Sequence, residues 1–177
     1  IRDSPETRKA LGATYLWAKQ YDLGIEQFKA ALDLDPAHAD TFDLLADAYA
    51  AKGMFQEALN ARRDYLRLEG AYEAAEALGN DGSESGYRRG MTNLYRRYLA
   101  KLNEDASKHE AVSPLEFALI YIGLGETEPA FKALDEAYRA HAPWLASLEA
   151  DPVFDPIRSD ERFAKLVAKV RVPYRPF

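Results

Sequence analysis

The chain has 177 residues, 47% apolar and 29% charged, with a formal net charge of −6 and no cysteine. That length and balance suit one well-buried domain or a short solenoid. The missing cysteine excludes disulfides, thiolate metal sites and cysteine nucleophiles, and the acidic balance argues against a phosphate-tracking surface over the whole domain. No run of about 18 apolar residues marks a transmembrane helix, and no basic–apolar–small leader marks a signal peptide. A start at Ile1 that enters a helix within a few residues reads as a piece of a longer protein. Without cysteine or leader, a cytoplasmic parent is the favoured expectation.

Ser4-Pro5 opens a first helix, with serine as N-cap and proline at the first helical position. Leu11, Tyr15 and Ala18 form one stripe, and Gly12 and Ala13 allow a second helix to come close. Gly12 costs about 1 kcal/mol relative to alanine in a helix, and close helix–helix approach is the return. Tyr21-Asp22 is expected to make the turn. A second helix from about Leu23 to Leu34 follows, with Ile25, Phe28, Ala31 and Leu32 inward, and Asp35-Pro36 stops it.

Asp40 or Thr41 is expected to cap a third helix carrying Phe42, Leu45, Ala46 and Tyr49 inward, ended by Lys52-Gly53. A fourth helix runs from about Met54 to Leu68. Moving 34 positions along takes Gly12 to Ala46, Tyr15 to Tyr49, Gly24 to Ala58 and Pro36 to Gly70. Small and aromatic residues at fixed places with this period resemble the tetratricopeptide repeat (TPR) family. The copy loosens at Arg62, where the family has an aromatic, and at Gly70, where it has proline.

The resemblance implies that Glu6, Lys9, Ala13, Leu16 and Trp17 face a binding groove, joined by Asp40, Asp43, Asp47, Ala50 and Ala51 from the second hairpin. Trp17 would be an anchor in that groove, or would pack against the next repeat or the chain end. Asp40, Asp43 and Asp47 make either a site for a basic peptide or a solvated strip near a positive helix N-terminus. Some TPR domains clamp a partner's C-terminal carboxylate with lysine and asparagine. Lys9 matches the first lysine, but Ala13 and Leu44 stand where asparagines are required, which argues against a clamp.

From Ala71 to Glu110 the rhythm breaks. Ala71–Leu78 is helical in composition, Gly79–Ser83 is a loop, and a long helix from Glu84 to about Asp105 carries Tyr87, Met91, Leu94, Tyr95, Tyr98, Leu99 and Leu102 on one stripe. Arg88, Arg89, Arg96 and Arg97 flank it. They form either a basic patch for an acidic protein, phosphate or nucleic acid, or a solvated face paired with Glu73, Glu76 or Glu84. No groove-entering motif accompanies them, so direct nucleic-acid binding is not expected.

Ser113-Pro114-Leu115-Glu116 reads as a capping box. Phe117, Ala118 and Tyr121 match the family's inward positions, and Ala130, Leu134 and Ala137 match on a helix over Glu128–His141. Tyr121 lies 72 residues after Tyr49, which leaves room for a degenerate repeat in between. Val112, Leu115, Leu119 and Ile122 are the groove offsets here. All are apolar, so this helix should be buried on both sides, by a segment of the chain or by a partner. The tail offers Pro143-Trp144-Leu145 and Asp151–Phe163, then a final helix over Asp160–Val170 acting as a cap and an irregular end over Arg171–Phe177. Ser113–Phe163, with Gly86-Tyr87-Arg88, resembles the closing segment of TPR regions in bacterial multidomain regulators, among them winged-helix transcriptional activators, serine/threonine kinases and adenylate cyclases.

No P-loop, GxGxxG, HExxH or GxSxG occurs, and His38, His109 and His141 are far apart, so neither catalysis nor a metal or cofactor is expected. The expectation is an all-α, right-handed helical-hairpin solenoid of three to four pairs forming a single domain over 1–177. Its parts are repeats at 5–38 and 39–72, a degenerate repeat with an insert at 73–110, a further repeat at 111–144 and a capping tail at 145–177. Its function would be non-catalytic protein binding or scaffolding within a larger regulator, with no membrane insertion. The alternatives are homodimerisation, through the third hairpin's apolar face or the final helix, and small-ligand sensing.

Overall fold

The computed structural model describes residues 3–171, with Trp144 and Ala146 described by their backbone alone. The irregular end expected over 172–177 and the Trp144 side chain therefore lie outside the described residues. Among these residues the fold is all-α, with consecutive helices packed in pairs, the arrangement of a TPR-like helical solenoid. The chain divides into two compact units, Ile1–Leu94 and Tyr95–Phe177.

In the first unit, α1 (Pro5–Trp17) pairs with α2 (Tyr21–Leu34), and α3 (Ala39–Ala51) pairs with α4 (Phe55–Leu68). Ser4 caps α1 as its sequence implies, Oγ accepting from the Thr7 N–H at 3.2 Å, a contact of about 1 kcal/mol. The first turn is made at Lys19, which takes a left-handed φ of 59°, and Tyr21 already belongs to α2. The expected turn at Tyr21-Asp22 is thus placed two residues late. Lys19 and Gln20 return their N–H groups to the carbonyls of Leu16 and Tyr15, which closes α1 without a glycine. His38, not Asp40 or Thr41, precedes α3, and the Thr41 hydroxyl lies 3.0 Å from His38 Nδ1.

Gly12 explains the closeness of α1 and α2. A Cβ there would stand 2.6 Å from the Phe28 ring, and one on Gly24 would stand 3.2 Å from the Gly12 carbonyl. Phe28 is completely buried, which contributes about 1.5–3 kcal/mol. Leu16, Ile25, Phe28, Leu45, Tyr49 and Ala58 belong to one core cluster.

α5 (Tyr72–Ala77) is short and packs on α4, burying Ala74 and Ala75. The first half of α6 (Glu84–Ser107) completes this unit. Gly90 lies so close to the Leu78 carbonyl that no side chain fits between them, and Tyr87 stacks on Phe55 with ring centres 5.2 Å apart. The stretch expected as a degenerate repeat is therefore one short and one long helix around a loop over 78–83.

The second unit begins within α6, whose Tyr95 ring occupies the space beside Gly123. α7 (Pro114–Leu124) pairs with α8 (Thr127–Arg139). Ser113 Oγ caps α7 by accepting from the Leu115 N–H at 3.2 Å, and Gly125, at φ 74°, ends it. Two 3-10 turns, Pro143–Ser147 and Pro152–Ile157, lead to α9 (Glu161–Arg171). Leu145, Leu148, Phe154 and Ile157 from these turns are buried in one cluster with Leu115, Ala118 and Ile122 of α7 and with Leu134 of α8. The tail covers the apolar face that α8 leaves open on α7.

Candidate partner-binding surface

The residues proposed for the groove occupy α1 and α3 of the first unit, and Lys9 joins the two helices through an ion pair with Asp40 at 3.3 Å. Trp17 ends α1 and is 48% exposed. Leu16 is a correction to the proposed set. It is 6% exposed and lies in the core cluster of this unit, because it sits opposite Ile25 and Phe28 on the inward side of α1. Its neighbour Trp17, about 100° further round the helix, does reach the surface.

Asp43 and Asp47 stand one turn apart on α3, and both meet Arg62 of α4. One terminal guanidinium nitrogen donates to Asp43 Oδ1 and the other to Asp47 Oδ1. Arg62 is 9% exposed, and its Nε is buried without a hydrogen-bond partner. The two carboxylates are half-exposed, so the pairing is desolvated on the arginine side and hydrated on the aspartate side. The strip is therefore partly neutralised from within its own hairpin, and Asp40 remains the most exposed of the three.

The sequence signal for this clamp was present and divided. Arg62 departs from the repeat pattern, and Asp43 and Asp47 gather at helical spacing, yet the two features are one. Phe28 occupies the place of Arg62 one period earlier, and Lys9 and Ala13 occupy those of Asp43 and Asp47. Tyr65, one turn from Arg62 and half-buried, has its phenol pushed up by burial and, less, by the Glu69 charge.

Two of the four arginines of α6 are engaged in ion pairs with nearby acids. Arg88 pairs with Glu84 at 2.6 Å and Arg89 with Asp81 at 2.8 Å, both in the first unit. Asp81 is held below its ordinary pKa by hydrogen bonds from Ser83 first and by Arg89 after that. Arg96 and Arg97 are exposed and belong to the second unit.

A depression at the first turn is lined by Lys19, Gln20, Tyr21, Asp22, Leu23 and Lys52. All but Tyr21 are exposed, and an ion pair between Lys52 and Asp22 bridges it, unlike the enclosed apolar pockets that hold small ligands. Among the described residues no group of three His, Cys, Asp or Glu side chains could hold a metal ion. No helix among them is long and apolar enough to cross a membrane.

No protein-family profile matches the chain, and no solved structure matches it. Over 68 residues, the length of two 34-residue periods, the chain is 35% identical to the tetratricopeptide repeat domain-containing protein PYG7, chloroplastic, of Arabidopsis thaliana. The match covers 38% of this chain and 23% of that protein, so the chain spans less than a quarter of its relative's length. This similarity supports a TPR-like repeat and, with it, a protein-interaction module.

Proposed function

We propose that the chain is a non-catalytic protein-binding module whose first unit docks a peptide or helix of a protein partner on the α1–α3 surface. Trp17 is the anchor, and Lys9, Asp40, Asp43 and Asp47 are the polar part of the site on the same two helices. The observation that carries this reading is the exposure of Trp17 beside helices held together by the Lys9–Asp40 pair. Large exposed aromatics concentrate binding energy at protein interfaces, and a rim of paired charges selects partners more than it tightens them. The partial neutralisation by Arg62 favours a partner of mixed or modest charge over a strongly basic one.

The wider setting follows from the likeness of Ser113–Phe163 to the closing segment of TPR regions in bacterial signalling and transcription regulators. In that setting the module would be the regulatory or assembly part of a larger protein. The α7 face buried beneath the tail supports the comparison, since such a segment would close the domain by covering its last hairpin.

The experiment is affinity capture with the natural chain and with Trp17→Ala, both checked for unchanged helicity by circular dichroism. Partners retained by the natural chain and lost by the variant support the groove. Identical partner sets from both chains would remove Trp17 and the surface around it from the proposal.

A further inference from the structure

The 34-residue period lets the first two hairpins be compared place by place. On α3 the stripe Thr41, Leu45 and Ala48 is buried, Leu45 being 5% exposed. The cover is α2, which packs along α3 and sets Lys29 over the Tyr49 ring, 5.9 Å from its centre. The same stripe one period earlier, on α1, is Thr7, Leu11 and Thr14, with Tyr15 in the place of Tyr49. Here Leu11 is 40% exposed, Thr14 is exposed, and Thr7 and Tyr15 are half-buried. The local geometry is matched: the Ser4 and Thr7 hydroxyls lie 3.1 Å apart, as His38 Nδ1 and the Thr41 hydroxyl lie 3.0 Å apart. What differs, among the described residues, is the helix on top.

The composition of this face suits cover. Thr7, Ala10, Leu11, Thr14 and Ala18 carry no charge. The Thr14 hydroxyl donates to the Ala10 carbonyl at 2.9 Å and that of Thr7 meets Ser4, so both find partners on their own helix. End faces that remain in water are ordinarily polar in repeat proteins. α9, which closes the second unit, exposes Glu161, Lys165 and Lys169. A lone exposed leucine would carry no weight, but a whole stripe whose counterpart is buried one period later does.

We infer that the Thr7–Leu11–Thr14 stripe of α1 is a docking face for a helical hairpin, laid on α1 as α2 is laid on α3. The occupant's second helix is amphipathic and brings a cation over Tyr15, as Lys29 stands over Tyr49. The face continues the pattern of an interface already present in the molecule, and the inference does not depend on the groove around Trp17.

The test supplies a hairpin of known sequence, the chain's own residues 3–36, joined directly ahead of Asp3 in the full chain so that the 34-residue register is kept. Hydrogen exchange of α1 amides should slow by on the order of tenfold or more relative to the natural chain. Leu11→Asp should lower the thermal midpoint of the extended chain and leave that of the natural chain nearly unchanged. Equal exchange in α1 with and without the added hairpin, or an equal effect of Leu11→Asp in both chains, would overturn the inference. Light scattering on the natural chain is the other arm. A dimer that Leu11→Asp returns to monomer would overturn it as well, because the occupant would then be a second copy.

Discussion

Arg62 stands where Phe28 stands one period earlier, and the helix facing each is matched to it. Phe28 is fully buried against Gly12, whereas Arg62 faces a helix with Ala46 at the glycine's place and meets Asp43 and Asp47 instead. The two hairpins therefore solve one packing problem with different chemistry. The first uses an apolar ring in a glycine gap, and the second uses a buried guanidinium held by two carboxylates.

The glycine gap gives the first prediction. Gly12→Ala gains about 1 kcal/mol of helix propensity but sets a methyl 2.6 Å from the fully buried Phe28 ring, and overpacking of this kind costs about 1–3 kcal/mol. A net loss of up to about 2 kcal/mol is expected in urea denaturation. Combining it with Phe28→Leu should recover part of that loss. A stabilised Gly12→Ala chain would show that the ring moves aside freely.

Arg62→Ala should destabilise the first unit by about 1–3 kcal/mol. That is less than the loss of a wholly buried pair, because Asp43 and Asp47 remain half-hydrated and exposed ion pairs contribute little. It also releases both carboxylates. The variant should therefore bind a lysine-rich test peptide more tightly than the natural chain, with the gain falling as salt rises. Isothermal titration at two salt concentrations checks this, and equal affinities would show that the Arg62 pairing does not mask the strip.

How far the sequence could be read follows from the same residues. Spacing and caps were enough for the helices, since Ser4-Pro5, Ser113-Pro114 and Gly125 act locally. The first turn was placed late because Lys19, not a glycine, takes the left-handed position, and such strain leaves no mark in composition. Trp17 could be named as a groove residue, whereas Leu16 was misplaced because adjacent helical positions differ by only about 100°. The Arg62 clamp, and the choice of the tail over a partner as the cover of α7, stayed open for another reason. Each depends on which residues meet across helices, and a sequence states only which residues are present.

A second arginine holds together the tail that covers α7. Arg158 donates to the backbone carbonyls of Glu149 at 2.9 Å and Asp151 at 3.0 Å, and its guanidinium lies 5.4 Å from the centre of the Phe163 ring. Arg158→Ala leaves those carbonyls without their donor, at a cost of about 1–3 kcal/mol for groups of this kind. Hydrogen exchange should then quicken in 114–124 as Phe154 and Ile157 loosen over α7. A variant whose tail exchanges faster while α7 is unchanged would show that the cover does not depend on this arginine.

Asp160 predicts how the second unit responds to acid. Hydrogen bonds from the Arg162 side chain first, and from its backbone N–H next, hold the Asp160 carboxyl down to about 2 from its ordinary 3.8. Arg162 in turn donates to Glu128 at 2.7 Å and lies 4.3 Å from the centre of the Phe131 ring, tying α9 to α8. The folded carboxyl holds its proton less tightly than the unfolded one. Its contribution to stability is therefore complete above the unfolded value and is lost as pH falls through the folded value. The urea midpoint of the natural chain should accordingly decline between about pH 4 and pH 2. Asp160→Asn, which does not titrate, should lower the midpoint at neutral pH and flatten this part of the decline. If both chains fall with the same slope across that window, the Asp160–Arg162 contact does not hold α9 in place.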